Sequence, residues 1–221
     1  MQWFSEYSNR IVLKAFAGIQ KYLKVGIMET QIAEVFDELM KKHGADGPSF
    51  PTIVCFGANA AIPHHVPEST RLTKNCFVLI DAGALYKGYC SDVTRTFIFK
   101  PDKRSEKYRR MLDMYNTVKG AQALALKSIK PGVKCEDPHL LAMNFINSAF
   151  NGRYKDKFIH GLGHPIGLEV HDLGPSLRPG EKKVIRANMV VSDEPGIYVS
   201  GFGGVRIEDD VIVGKNGGRF I

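Results

Sequence analysis

The spacing of apolar residues divides the chain into alternating helical and extended stretches. Trp3 to Lys24 is rich in helix formers and is broken at Gly26. From Thr30 to His43, Ile32, Val35, Phe36, Leu39 and Met40 recur at helical spacing. That rhythm predicts an amphipathic helix with Thr30 as its N-cap and Gly44 as its stop. The pattern then shortens. Thr52 to Phe56, Phe77 to Asp81 and Tyr89 to Phe99 are rich in Val, Ile, Thr and Phe and read as strands. A long helix is predicted over Ser105 to Ile129, ended by Pro131-Gly132, and a further one over Asp137 to Phe150. Met189 to Asp193, Ile197 to Val199 and Val205 to Val213 return to strands. Two helices, strands, two helices and strands fit an α+β domain with helices packed on one face of an antiparallel sheet. No linker-like stretch divides residues 1–221, so a single domain is expected.

Composition narrows this picture. The 221 residues are 44% hydrophobic and 24% charged, which suits a globular chain with a core of its own and not a disordered one. The best apolar stretch, Cys76 to Tyr86, is interrupted by Asp81 and is too short to span a membrane. The net charge is +7, and its densest basic run, Lys100 to Arg110, contains Asp102 and Glu106 and lacks interleaved aromatics. It reads as a solvated surface and gives no nucleic-acid or membrane partner. The four cysteines include no C-x-x-C pair, and Met1 to Glu6 shows no secretory signal. Reduced thiols in a cytoplasmic protein are expected.

Acidic residues stand where apolar strands should exclude them. Asp81 and Asp92 flank Tyr86-Lys87-Gly88, and a hairpin turning at Tyr86-Lys87 would set them opposite each other. Glu194 and Glu208 are spaced symmetrically about Gly201 in a glycine-rich stretch, which predicts a second facing pair. Like charges across a sheet repel, so two such pairs ask for a cation. Three of the seven histidines, His160, His164 and His171, fall in one glycine-rich segment. His160 and His164 have i, i+4 spacing, but the glutamate of H-E-x-x-H is missing and Pro165 follows, which argues against a zincin site. The glycines suggest a tight backbone that lets a ligand or metal approach. Nitrogen and carboxylate donors together suit Mn²⁺, Co²⁺, Fe²⁺ or Zn²⁺, and four carboxylates are enough for two ions.

These residues resemble the pita-bread metallopeptidases, the family of methionine aminopeptidase, aminopeptidase P and prolidase, over about Trp3 to Val213. The motifs are Asp81-Ala82-Gly83, Ser91-Asp92 with Thr94-Arg95, the His-Gly-x-Gly-His run ending at His164, Glu194-Pro195-Gly196-Ile197-Tyr198, and Arg206-Ile207-Glu208-Asp209-Asp210. The resemblance implies a curved antiparallel sheet with two pairs of helices on its outer face. It implies two divalent ions, Mn²⁺ or Co²⁺ foremost with Fe²⁺ or Zn²⁺ as alternatives. Asp81 would chelate one ion, His164 and Glu194 would hold the other, and Asp92 and Glu208 would bridge. His64 would stand beside the leaving side of the substrate, with His65 next to it where relatives often carry Tyr. His171 would meet the scissile carbonyl, and Glu194 would relay a proton. His160 matches the additional histidine of the proline-specific members, and Phe50, Tyr198 and Arg206 are candidate substrate-site residues. The implied activity is Xaa-Pro dipeptidase or aminopeptidase, acting on a peptide with proline second, in a possible homodimer. Alternatives on the same fold are a methionine aminopeptidase, a creatinase-like non-peptidase and a binding module. Prolidases and aminopeptidases P commonly carry an extra N-terminal domain, and this chain starts directly at the first helix of the catalytic one.

Overall fold

The computed structural model describes residues 2–221. Helices α1 (Gln2–Ile19) and α2 (Glu29–Lys42) come first, α1 running on into a short 3-10 turn at Gln20–Tyr22. Strands β1 (Gly47–Pro48), β2 (Ile53–Phe56), β3 (Cys76–Ala82), β4 (Ala84–Tyr86), β5 (Tyr89–Cys90) and β6 (Val93–Phe99) follow. Next come α3 (Glu106–Ser128) and α4 (Glu136–Ser148). The chain closes with β7 (Val190–Asp193), β8 (Gly196–Val199), β9 (Gly203–Arg206), β10 (Asp209–Val213) and β11 (Gly218–Phe220). The order read from the sequence is therefore the order found.

Two local details differ from the expectation. Helix α2 is capped at Met28, not Thr30: the Gln31 side chain accepts from the Met28 amide at 3.1 Å, while Thr30 is already helical. Ser105, by contrast, caps α3 as its position suggests, accepting from the Tyr108 amide at 3.1 Å.

All the strand pairings are antiparallel. Strand β3 lies between β2 and β6, β10 lies between β7 and β11, and β8 pairs with β9. The all-apolar run that ends at Asp81 is explained by burial on both faces of β3. Val78, Ile80 and Ala82 join a core with Ile11, Val12 and Ala15 of α1 and Ile32 and Phe36 of α2. Phe77 and Leu79 join a second core with Met111, Met114 and Val118 of α3, Ala142 and Ile146 of α4, and Val191, Val205 and Val211. Each helix pair thus covers its own part of the sheet. Asp81 continues the Phe77–Leu79 row, on the side of β3 that faces the second half of the molecule.

Candidate active site

Five acidic and histidine side chains meet between the halves. Asp81 is the next-to-last residue of the buried strand β3, and Asp92 stands just before β6. Glu194 follows β7, and Glu208 lies between β9 and β10. The second facing pair has the register read from the sequence. Gly196 pairs with Arg206 through to Val199 with Gly203, and Asp193 pairs with Asp209 in line with them, so Glu194 falls opposite Glu208. The first pair is displaced. Asp81 faces Thr94, not Asp92, because the turn is centred on Lys87-Gly88, both at positive φ (51° and 82°). The error is one residue in the turn centre and two in the register, so the pleat still turns both carboxylates to one side.

His164 reaches this cluster on an extended segment laid along β7. Its amide donates to Ser192 Oγ at 3.0 Å, and the Ser192 amide donates to its carbonyl at 2.9 Å. Gly163 permits this approach: a Cβ there would sit 1.9 Å from the Ser192 carbonyl oxygen. The glycine serves backbone packing, and that packing delivers the histidine. His164 Nδ1 donates to the Pro165 carbonyl at 3.1 Å, so Nε2 carries the lone pair. Nε2 lies 3.5 Å from Asp92 Oδ2 and 3.4 Å from Glu194 Oε1. Ligating atoms of Asp92, His164 and Glu208 all fall within 4.8 Å of one another.

Arg206 stands behind the carboxylates and is buried. It donates to Asp81 Oδ2 at 2.7 Å, Thr94 Oγ1 at 3.0 Å, the Tyr198 hydroxyl at 3.0 Å and the Pro63 carbonyl at 3.3 Å. Thr94 in turn donates to Glu208 Oε2 at 2.5 Å. Tyr198 links this arginine to His160. The His160 Nδ1 donates to the Gly161 carbonyl at 2.8 Å, so its Nε2 accepts from the Tyr198 hydroxyl at 2.8 Å. His160 is therefore a neutral imidazole, and burial pushes its pKa down to about 4.

One buried guanidinium does not balance four carboxylates. Burial first, and then the other acids, push Asp92 and Glu208 well above the usual carboxylate range. Burial also pushes Glu194 up to about 8 and His164 down to about 4. Asp81 Oδ1 and Asp92 Oδ1 are buried and have no hydrogen-bond partner among the described residues. Unpartnered carboxylate oxygens, a free imidazole lone pair and a deficit of positive charge together fit divalent cations.

A cavity of about 670 Å³ opens onto this cluster. Its walls include Phe50, His64, His160, His171 and Arg206, together with the five candidate ligands. Tyr198 is not on the wall; it stands behind His160 and Arg206. His65 turns away from the cavity and donates to Glu29. The His171 ring lies 4.0 Å from that of His164, centroid to centroid.

Three residues near the site had no role in the sequence reading, although Thr94 and Asp210 stood within its motifs. Asp210 accepts from the Asp92 amide at 3.1 Å and from Asn9 at 2.8 Å, which fixes the backbone at Asp92. An acid inside the apolar run that ends in Val211-Ile212-Val213 was the available signal, the same one that marked Asp81. Glu29 and Thr94 gave none, because a first-turn glutamate and a strand threonine are ordinary at their positions.

The profile of metallopeptidase family M24 matches residues 5–215. An uncharacterized peptidase of Staphylococcus aureus is 40% identical over 197 residues, covering 89% of this chain and 53% of the relative. This chain thus spans about half the length of the curated relatives it matches. Among solved structures, a prolidase from Pyrococcus furiosus superposes with a TM-score of 0.90 at 36% identity, covering 98% of this chain and 62% of that one. An Xaa-Pro dipeptidase from Bacillus anthracis gives 0.90 at 35% identity, covering 98% and 59%. An X-Pro aminopeptidase from Thermotoga maritima gives 0.90 at 33% identity, also covering 98% and 59%.

Proposed function

The chain belongs to metallopeptidase family M24, and from that premise we propose that it hydrolyses the bond between an N-terminal residue and a following proline, using two divalent metal ions. Its architecture is the pita-bread fold of its structural neighbours. The observation that carries the reading is the convergence of Asp81, Asp92, His164, Glu194 and Glu208 on one cavity that His64, His160 and His171 also line. The proline preference is supported by the neighbours named prolidase, Xaa-Pro dipeptidase and X-Pro aminopeptidase.

In this reading Asp81 would hold one ion, His164 and Glu194 would hold the other, and Asp92 and Glu208 would be shared between them. Mn²⁺ or Co²⁺ suits this donor set best. The ions, when bound, supply a Lewis acid and lower the pKa of water so that hydroxide is present near neutral pH. The chain's own groups do the rest. His171 donates to the oxygen that gains charge as the carbonyl is attacked. Glu194 relays a proton to the leaving nitrogen, and His64 flanks the leaving side. A proline nitrogen has no hydrogen to offer, so its pocket must read shape. Phe50 and the neutral ring of His160 form such a wall. Arg206, also on the wall, holds Asp81, and Tyr198 behind it holds His160 in place. Residues 1–221 act as one catalytic domain, in the cytoplasm and as a homodimer; the four buried, unpaired cysteines accord with a reducing compartment.

The test is hydrolysis by metal-stripped protein with Mn²⁺ or Co²⁺ added back, on Ala-Pro, Met-Pro, Ala-Pro-Gly and Met-Ala-Ser. Metal-dependent cleavage of the Xaa-Pro substrates is expected, and the tripeptide separates dipeptidase from aminopeptidase. Cleavage of Met-Ala-Ser alone would replace the reading with a methionine aminopeptidase. Metal binding with no cleavage of any of the four would count against it.

A further inference from the structure

The segment from Phe56 to Thr70 carries His64 to the cavity wall, yet His64 has no hydrogen bond of its own to the protein among the described residues. Its neighbours are held instead. On one side, Arg206 donates to the Pro63 carbonyl at 3.3 Å. On the other, His65 Nε2 donates to Glu29 Oε2 at 2.8 Å.

Glu29 is the first residue of α2 and is completely buried. Its carboxylate accepts four hydrogen bonds, all from this one segment. Oε1 takes the Phe56 amide at 2.7 Å and Asn59 Nδ2 at 3.0 Å. Oε2 takes His65 and, at 3.0 Å, the Glu68 amide. The first amides of α2 face the same way: Glu29 N donates to Thr70 O at 3.1 Å and Thr30 N to Glu68 O at 3.3 Å. The segment thus wraps the open N-terminus of α2 and satisfies donors that a helix leaves unpaired. Nothing in the catalytic scheme uses a buried carboxylate here. A carboxylate taken out of water is tolerated only when its oxygens are fully satisfied, so the segment and the acid fix each other's position.

We propose that Glu29 is the positioning residue for His64, setting where that histidine stands on the cavity wall by anchoring both flanks of its loop through His65, Glu68, Asn59 and the Phe56 amide. The role of His64 in this inference rests on the reading given above; the anchoring does not. Glu29→Gln is the informative change. It keeps the shape, but its NH2 group must face two of the four donors. The Mn²⁺-loaded variant should lose about 10- to 100-fold in kcat/KM for Ala-Pro, carried mainly by kcat, because the flank of the reacting bond is misplaced. Metal content should be unchanged. Amide exchange should speed up in residues 56–70 while β3 and β6 keep their protection. In a His64→Ala background the loss from Glu29→Gln should shrink to within about twofold, since groups acting as a unit are not additive.

If Glu29→Gln does not fold, His65→Phe removes one of the four bonds at similar volume and should show the same pattern more weakly. The inference is overturned by unchanged exchange in residues 56–70, or by an equal fold-loss with and without His64. Full activity in His64→Ala alone would instead remove the role given to His64 under the proposed function. Exchange would still decide the anchoring in that case, and also if none of the peptides is cleaved.

Discussion

Arg206 shows how far single residues can be read in advance. Its place two residues before Glu208 marked it as part of a motif and, by resemblance, as a candidate substrate-site residue. The structure adds Asp81, Thr94 and Pro63, none of which spacing alone can supply. Burial alone would lower its pKa, but Tyr198 and the acids Asp81, Glu208 and Glu194 outweigh that and raise it further, so it is charged at every working pH. Removing it leaves Asp81 uncompensated and the Tyr198 hydroxyl without a donor. Arg206→Met should therefore cost about 3–5 kcal/mol, the usual result of breaking one side of a buried ion pair, read by urea unfolding of the metal-free protein. A loss under about 1 kcal/mol would show the pair to be solvated. The four candidate carboxylates were legible because acids within apolar stretches are conspicuous, and His164 through its glycine-rich motif. Asp210 carried the same signal and stood in a motif but was given no role, whereas Glu29 was hidden because its meaning lies in a loop thirty or so residues away.

Registers of strands are less legible than their existence, and the two hairpins show why. The Glu194–Glu208 register follows from symmetry about Gly201 because no extra residue intervenes between the strands. The Asp81–Asp92 register fails by two residues because the turn takes Lys87 and Gly88 as its centre, a choice set by backbone conformation and not by hydrophobic pattern. The glycines before Arg206 were read as turn formers, but Gly203 and Gly204 belong to β9. Gly204 is there because the 3-10 turn at Gly57–Ala61 lies against it. A Cβ at Gly204 would come within 2.1 Å of the Ala60 carbonyl oxygen. Gly204→Ala should push that turn outward at about 1–3 kcal/mol, the scale of overpacking, seen as a lower urea midpoint with an unchanged m-value. An unchanged midpoint would mean that the turn yields without resistance. Cap positions fail for a related reason: Thr30 looks like an N-cap, but the Phe56–Thr70 segment already occupies the end of that helix.

For the molecule as a whole, the carboxylate cluster decides how stability follows pH without metal. The folded pKa values of Asp92, Glu194, Glu208 and Asp210 are raised, to about 8 for Glu194 and about 7 for Asp210. In the pH range between their ordinary values and about 8, the folded protein holds protons that the unfolded chain has released. Stability must then fall as pH rises through that window. His160 and His164, pushed down to about 4, work the other way, but only below their ordinary 6.5. From pH 6.5 to 8 the carboxylates alone set the slope. The melting temperature of metal-free protein should drop across that interval, and saturating Mn²⁺ should abolish the drop. A melting temperature that rises from pH 6.5 to 8 without metal would contradict this account. The same cluster is divided between the two halves: Asp81 and Asp92 come from the first, and His164, Glu194 and Glu208 from the second. Ions held there act as a bolt through a hinge, and a chain being pulled apart must give them up before its halves can separate. A degradation machine would meet a tougher substrate in metal-replete cells than in starved ones. The lifetime of this protein would then follow the metal supply that the proposed chemistry requires.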